Sequence, residues 1–148
     1  MKNKRALFFL STAAIIIILD QILKLILSRT LELGQSIPLI KNLFHLTLIH
    51  NTGAGFGILK DHGSLLIWIS IIAMGIITYY YDQIPKKDRL PQIAAGLLMG
   101  GIIGNLIDRL AHGFVIDFFD LMVWPAFNIA DSAITIGVIL LIIYLWKK

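Results

Sequence analysis

The sequence predicts an all-α integral membrane protein with four transmembrane helices, and three observations carry that reading. The chain has 148 residues, 57% of them apolar and only 15% charged, whereas soluble domains run at about 45 to 50% apolar and about 25% charged. The apolar residues gather into four stretches, Ala6 to Leu27, Ser64 to Tyr81, Ile93 to Leu110 and Ile129 to Trp146. Four spans of about 20 residues use about 80 residues, nearly the whole apolar inventory, so one polytopic domain over residues 1–148 is expected. Third, lysine and arginine cluster beside the stretches and alternate in side. Lys2, Lys4, Arg5, Lys86, Lys87, Arg89, Lys147 and Lys148 share one side, against Arg29, Lys41 and Lys60 on the other. By the positive-inside rule both termini and the loop between spans two and three are cytoplasmic.

The first stretch follows a basic head like a secretory signal, but it is long and no small-x-small cleavage site follows it. It reads as a retained signal anchor. The outer segment 28–63 contains Leu43 to His50, where Phe44, Leu46 and Leu48 alternate with His45, Thr47 and Ile49, a strand pattern. It runs into Asn51-Thr52-Gly53-Ala54-Gly55-Phe56-Gly57, whose glycines suit tight turns or the approach of a bound chain, with a plain hairpin turn as the alternative. Span two offers only Ser70 and Thr78 as polar residues and reads as a peripheral, lipid-facing support. Span three carries Gly96, Gly100 and Gly104, a small-residue ridge for close helix packing. The outer segment 111–128 then leads into span four.

The formal charge of +4 sits in topology signals, not in a nucleic-acid patch. Without cysteine the chain has no disulfide, thiol nucleophile or lipid-acceptor site of its own. The four histidines show no metal-ligand spacing, and neither a GxSxG motif nor a phosphate loop is present. No metal or cofactor is implied.

An ionisable residue inside a span costs about 2.5 to 3.5 kcal/mol on insertion scales, so each needs a reason. At 1.5 Å rise per residue, Asp20, Asp108 and Asp131 all lie about 21 to 22 Å from the cytoplasmic ends of their spans, a polar layer toward the outer side. Gln21, Lys24, Asn105, Arg109, Asn128, Ser132 and Thr135 surround it, and Asn128, Asp131, Ser132 and Thr135 share one helical face. Asp20 and Lys24, one turn apart, can neutralise each other, or Lys24 can snorkel outward. Asp108 can pair with Arg109 or a neighbouring helix. Asp117 stands among Phe114, Val115, Ile116, Phe118 and Phe119, a setting that disfavours its charged form, unless it is a surface-loop carboxylate.

These residues resemble, in order and over almost the whole chain, the bacterial lipoprotein signal peptidases, the signal peptidase II family of intramembrane aspartic peptidases. The resemblance runs through Asp20-Gln21-Ile22-Leu23-Lys24, the Asn51 to Gly57 block, Gly100 to Arg109, Val115-Ile116-Asp117-Phe118 and Phe127-Asn128-Ile129-Ala130-Asp131. It implies a small extracytoplasmic β-sheet cradle beside the four helices. It places the catalytic pair on Asp117 and Asp131, substrate-binding residues on Asn51, Asn105, Arg109 and Asn128, and supporting polar positions on Asp20, Lys24 and Asp108. The implied activity removes the signal peptide from diacylglyceryl-modified prolipoproteins on the N-terminal side of the lipidated cysteine, in the bacterial cytoplasmic membrane with the active site toward the outside. The implied partners are that substrate and membrane lipid, with no nucleic acid and no obligate protein partner.

Two carboxylates sharing a proton supply both the base and the acid that amide hydrolysis needs. A transporter or proton channel would need a polar path to the cytoplasmic side, and below the polar layer spans one, three and four are almost wholly apolar. An assembly subunit packing through the glycines would leave Asp117, Asp131 and their asparagines without a purpose.

Overall fold

The computed structural model describes residues 2–53, 62–84 and 87–147. Ala54 to Gly57 of the glycine-rich block, and Lys60, Lys86 and Lys148 of the basic tally, lie outside the described residues. Helix α1 runs over Lys2–Thr30, strand β1 over Ser36–Ile40, β2 over Phe44–Asn51, α2 over Gly63–Tyr81, α3 over Arg89–His112, β3 over Val115–Asp120 and α4 over Ile129–Trp146. All four helices are long and apolar enough to cross a membrane.

α3 begins four residues before its apolar run. Pro91 sits in its first turn, where a proline removes no helical hydrogen bond. It ends two residues past Leu110 on Gly113, whose φ of +80° forms a left-handed C-terminal cap. α4 starts on a capping box. The Asn128 side chain accepts from the Asp131 N–H, and the Asp131 carboxylate accepts from the Asn128 N–H.

α3 is the centre of the bundle, with thirteen of its 24 residues buried, against two in α2 and three in α4. The glycine ridge accounts for this. A Cβ at Gly100 would stand 2.8 Å from the Ala13 carbonyl oxygen of α1, and one at Gly101 would strike the Ala130 carbonyl of α4. Backbone therefore meets backbone on both sides of α3. Large apolar side chains of α1, α2 and α4, such as Ile18, Trp68, Ile72 and Ile142, point outward, as lipid-facing helices require.

The strands form one antiparallel sheet in the order β1-β2-β3. Leu48, Ile116 and Phe118 pack on Leu27 and Leu31 at the end of α1, which fastens the sheet to one end of the bundle. The strand expected over 43–50 is β2, but strict alternation breaks at a register shift between Leu46 and Ile49. There Thr47 and Leu48 are both buried, as an extra residue in one strand allows. β1 and β3 carry no comparable sequence signal. Every residue of β1 is exposed and the first four of β3 are all buried, so neither shows a period of two.

Candidate active site

The deepest polar feature ties α1, α3, α4 and β3 together. Lys24 Nζ stands 2.7 Å from Asp20 Oδ2 and 2.8 Å from Asp108 Oδ2, and all three side chains are at most 2% exposed. Lys24 is therefore paired in the interior and does not snorkel. Asp20 Oδ1 accepts the Ala130 N–H at 3.0 Å, and Asp108 Oδ2 accepts the Ile116 N–H at 3.0 Å. Gln21 Nε2 donates to Asp108 Oδ1 at 3.0 Å. Asp108 thus pairs with a neighbouring helix, not with Arg109. A buried charge of this kind is tolerable only with its partners and hydrogen bonds complete.

Lys24 also donates to Asn105 Oδ1 at 3.2 Å, which leads to a second network. Asn105 Nδ2 donates to Asp131 Oδ1 at 2.7 Å, and Asn105 Oδ1 also accepts from Asn128 Nδ2 at 3.0 Å. Asn128 Nδ2 donates to Asp117 Oδ1 at 2.7 Å, while Asn128 Oδ1 accepts the Asp131 N–H at 2.9 Å. Asn51 Nδ2 completes the set by donating to Asp117 Oδ2 at 2.9 Å. Two carboxylates from different elements are held by one asparagine at the N-terminus of α4.

Asp117 lies on β3 with 1% of its surface exposed, so it is no surface-loop residue. Burial, and after it the charge of Asp131, push its carboxyl up to about 7, against the opposing influence of Asn51, Lys24 and Asn128. A carboxyl in that state can hold or release a proton near neutral pH.

The profile of the family described as Signal peptidase (SPase) II matches residues 12–147. The chain belongs to that family. A lipoprotein signal peptidase of Halothermothrix orenii is 42% identical over 134 residues, covering 90% of this chain and 92% of the relative. One from Moorella thermoacetica is 40% identical, covering 90% and 89%. A bacterial membrane enzyme solved by the in meso method at 1.9 Å superposes with a TM-score of 0.86 at 37% identity, covering 95% of this chain and 93% of that one. The chain is thus a peptidase of the signal peptidase II family, whose members remove signal peptides from prolipoproteins, and a multi-pass bacterial membrane protein.

In this signal peptidase II chain a groove of 760 Å³ opens beside Asp131, lined in part by Asn51, Asn105 and Arg109, with Asp117 buried behind the lining residues Asn51 and Val115. Leu66, Ile69, Ser70 and Ala73 of α2 form one wall, so α2 is more than the peripheral support expected from its composition. Ser132 and Thr135 line the groove as their shared helical face with Asp131 predicts. Asn128 is fully buried behind it as the N-cap. Arg109 Nη2 reaches the Gly53 carbonyl at 3.4 Å, a long contact that leaves most of the guanidinium's donors uncommitted among the described residues. Another wall, Leu121 and Trp124 to Phe127, carries no sequence signal of its own.

Proposed function

We propose that this chain is an intramembrane aspartic endopeptidase that cleaves diacylglyceryl-modified prolipoproteins on the N-terminal side of the lipidated cysteine, with Asp117 and Asp131 as its catalytic pair. One observation carries the reading: Asn128 donates its side-chain amide to the Asp117 carboxylate and its backbone N–H to the Asp131 carboxylate, and Asp131 lines a largely apolar groove. Like charges held close do not both ionise readily, so the pair shares one proton near neutral pH and titrates as a unit.

Water enters between the carboxylates and attacks the scissile carbonyl carbon as one carboxylate takes its proton. The other carboxyl gives its proton to the carbonyl oxygen. The tetrahedral diol collapses when the carboxyl that took the water's proton passes it to the amide nitrogen and the other carboxylate takes back a diol proton. This breaks the C–N bond, leaves a new carboxyl group on the signal peptide and frees the new amine of the lipidated cysteine. Asn51, Asn105 and Arg109 line the groove and are placed to grip extended substrate backbone. Asn128, wholly buried, acts by fixing the two acids. Asp20, Lys24 and Asp108 hold α1, α3, α4 and β3 in register.

The distribution of lysine and arginine supports cytoplasmic termini, which puts the sheet and both acids toward the outer face of the cytoplasmic membrane. There water is available, and a diacylglyceryl group in the outer leaflet would bring the scissile bond to the same depth. The test is to incubate the purified protein with a diacylglyceryl-modified prolipoprotein and follow signal-peptide release, with unlipidated precursor alongside. Release from the lipidated form alone supports the reading. Equal cleavage of both, or of neither, refutes it.

A further inference from the structure

A second polar network, separate from the two acids, crosses all three strands of the sheet. Ser36 Oγ on β1 lies 3.0 Å from His45 Nδ1 and 2.9 Å from Thr47 Oγ1 on β2. Thr47 Oγ1 donates to Asp120 Oδ2 on β3 at 2.9 Å. Each hydroxyl has a single proton, and Thr47 spends its own on Asp120. Ser36 therefore donates to Thr47 and accepts from the His45 Nδ1–H. All donors point the same way, toward the carboxylate, and each bond polarises the next. Asp117 and Asp120 are three residues apart on one strand and so address opposite faces of the sheet, which keeps this chain of bonds away from the scissile-bond site.

The chain of bonds ends on the loop that forms a groove wall. Asp120 Oδ1 accepts the Met122 N–H at 2.8 Å, and Met122 has a φ of +64°, a left-handed conformation unfavourable for a residue with a Cβ. Hydrogen bonds between Phe119 and Phe127, 2.8 and 3.0 Å long, close the base of the loop. Leu121, Trp124, Pro125, Ala126 and Phe127 then line the groove.

We propose that Thr47 and Asp120 are positioning residues, which fix the loop over 121–127 as an apolar wall and so set how tightly the substrate's apolar segment is held. The inference rests on the groove being the substrate site, as proposed above. Thr47 is only 9% exposed and sits in the register break of β2, where its hydroxyl is the one link from the β1–β2 hairpin to this carboxylate among the described hydrogen bonds.

The test is steady-state cleavage of a diacylglyceryl-modified prolipoprotein by Thr47→Val, Thr47→Ser and Asp120→Asn, with amide exchange at Met122 in the same purified proteins. Thr47→Val should raise KM about five- to tenfold, the effect of losing one hydrogen bond of ordinary net strength. Its kcat should stay within about twofold of the parent, because Asp117 and Asp131 are untouched. Exchange at Met122 should quicken, and Thr47→Ser should restore both. Asp120→Asn keeps the side-chain volume and an acceptor for Met122, and it should raise KM in the same direction, so the idea stays open to refutation if Thr47→Val does not fold. An unchanged KM with a lower active fraction would mean a merely structural role and would overturn the proposal. If the parent protein cleaves nothing, the functional reading fails. Unchanged Met122 exchange in Thr47→Val, or an unchanged KM in Asp120→Asn, would overturn the positioning role by itself.

Discussion

Asp117→Asn separates the catalytic role proposed for this carboxyl from its structural one. In the parent, Asp117 Oδ1 and Oδ2 accept one N–H each, from Asn128 at 2.7 Å and Asn51 at 2.9 Å. An asparagine offers one acceptor atom, so its amide nitrogen must face one of those donors. One hydrogen bond is lost and two buried donors oppose each other, at a cost of about 1 to 3 kcal/mol. That is small enough for the protein to remain folded, whereas loss of a catalytic acid or base lowers the rate by about 10² to 10⁴.

The pH dependence supplies a second readout. The Asp117 carboxyl is raised from 3.8 to about 7 in the folded protein. Between about pH 4 and 7 the folded state thus binds a proton that the unfolded chain has already released. Its contribution to stability is complete below pH 4, falls as pH rises toward 7 and is spent above it. Asn carries no such proton. The melting temperature of Asp117→Asn relative to the parent should therefore rise across that window, while signal-peptide release stays at background throughout. Turnover within about tenfold of the parent, or two melting curves with the same dependence on pH, would refute the reasoning.

Lys24→Met leaves Asp20 and Asp108 facing each other without their ammonium and should destabilise the fold by about 3 to 5 kcal/mol, read as a lower melting temperature in detergent. Gly101→Val drives a side chain into the Ala130 backbone. It should cost about 1 to 3 kcal/mol and lower activity, because the next residue on α4 is Asp131; unchanged melting and turnover would contradict the packing argument. Arg109→Lys should weaken substrate or inhibitor binding while leaving the melting temperature in place, since Asp108 is anchored by Lys24 and Gln21 and an ammonium cannot hold two acceptors in one plane. A large loss of stability with intact binding would point to a structural Arg109.

The four helices were legible in the sequence because insertion into lipid demands long apolar runs, and that demand is local. Their ends were less so. α3 extends to Arg89 and His112 because a helix is limited by its caps and not by its hydropathy, and Gly113 is recognisable as a cap only once its φ is known. The polar layer of Asp20, Asp108 and Asp131 was also legible, since a rise of 1.5 Å per residue converts sequence position into depth. The pairing inside that layer was not. Lys24 had a local partner in Asp20 and a possible route to the interface, and only the packing of α1 on the glycine ridge brings Asp108 within 2.8 Å of it. Gln21 gave no sign of its role, because its three acceptors come from three different residues.

The order of motifs was enough to single out Asp117 and Asp131 by resemblance, but no spacing rule connects them to one asparagine. That convergence requires β3 to lie against β2 and the capping box to start α4 at Asn128. The groove walls on α2 and on residues 121–127 were the least visible features, since apolar side chains that face a substrate and those that face lipid have the same composition. Sequence by itself determined which segments are long and apolar enough to cross a membrane and how far along its helix each charge lies, because these depend on residue type and rise along one helix. Tertiary structure alone decided which charge meets which, because a hydrogen bond over 3 Å is set by the mutual placement of separate elements, which neither periodicity nor composition records.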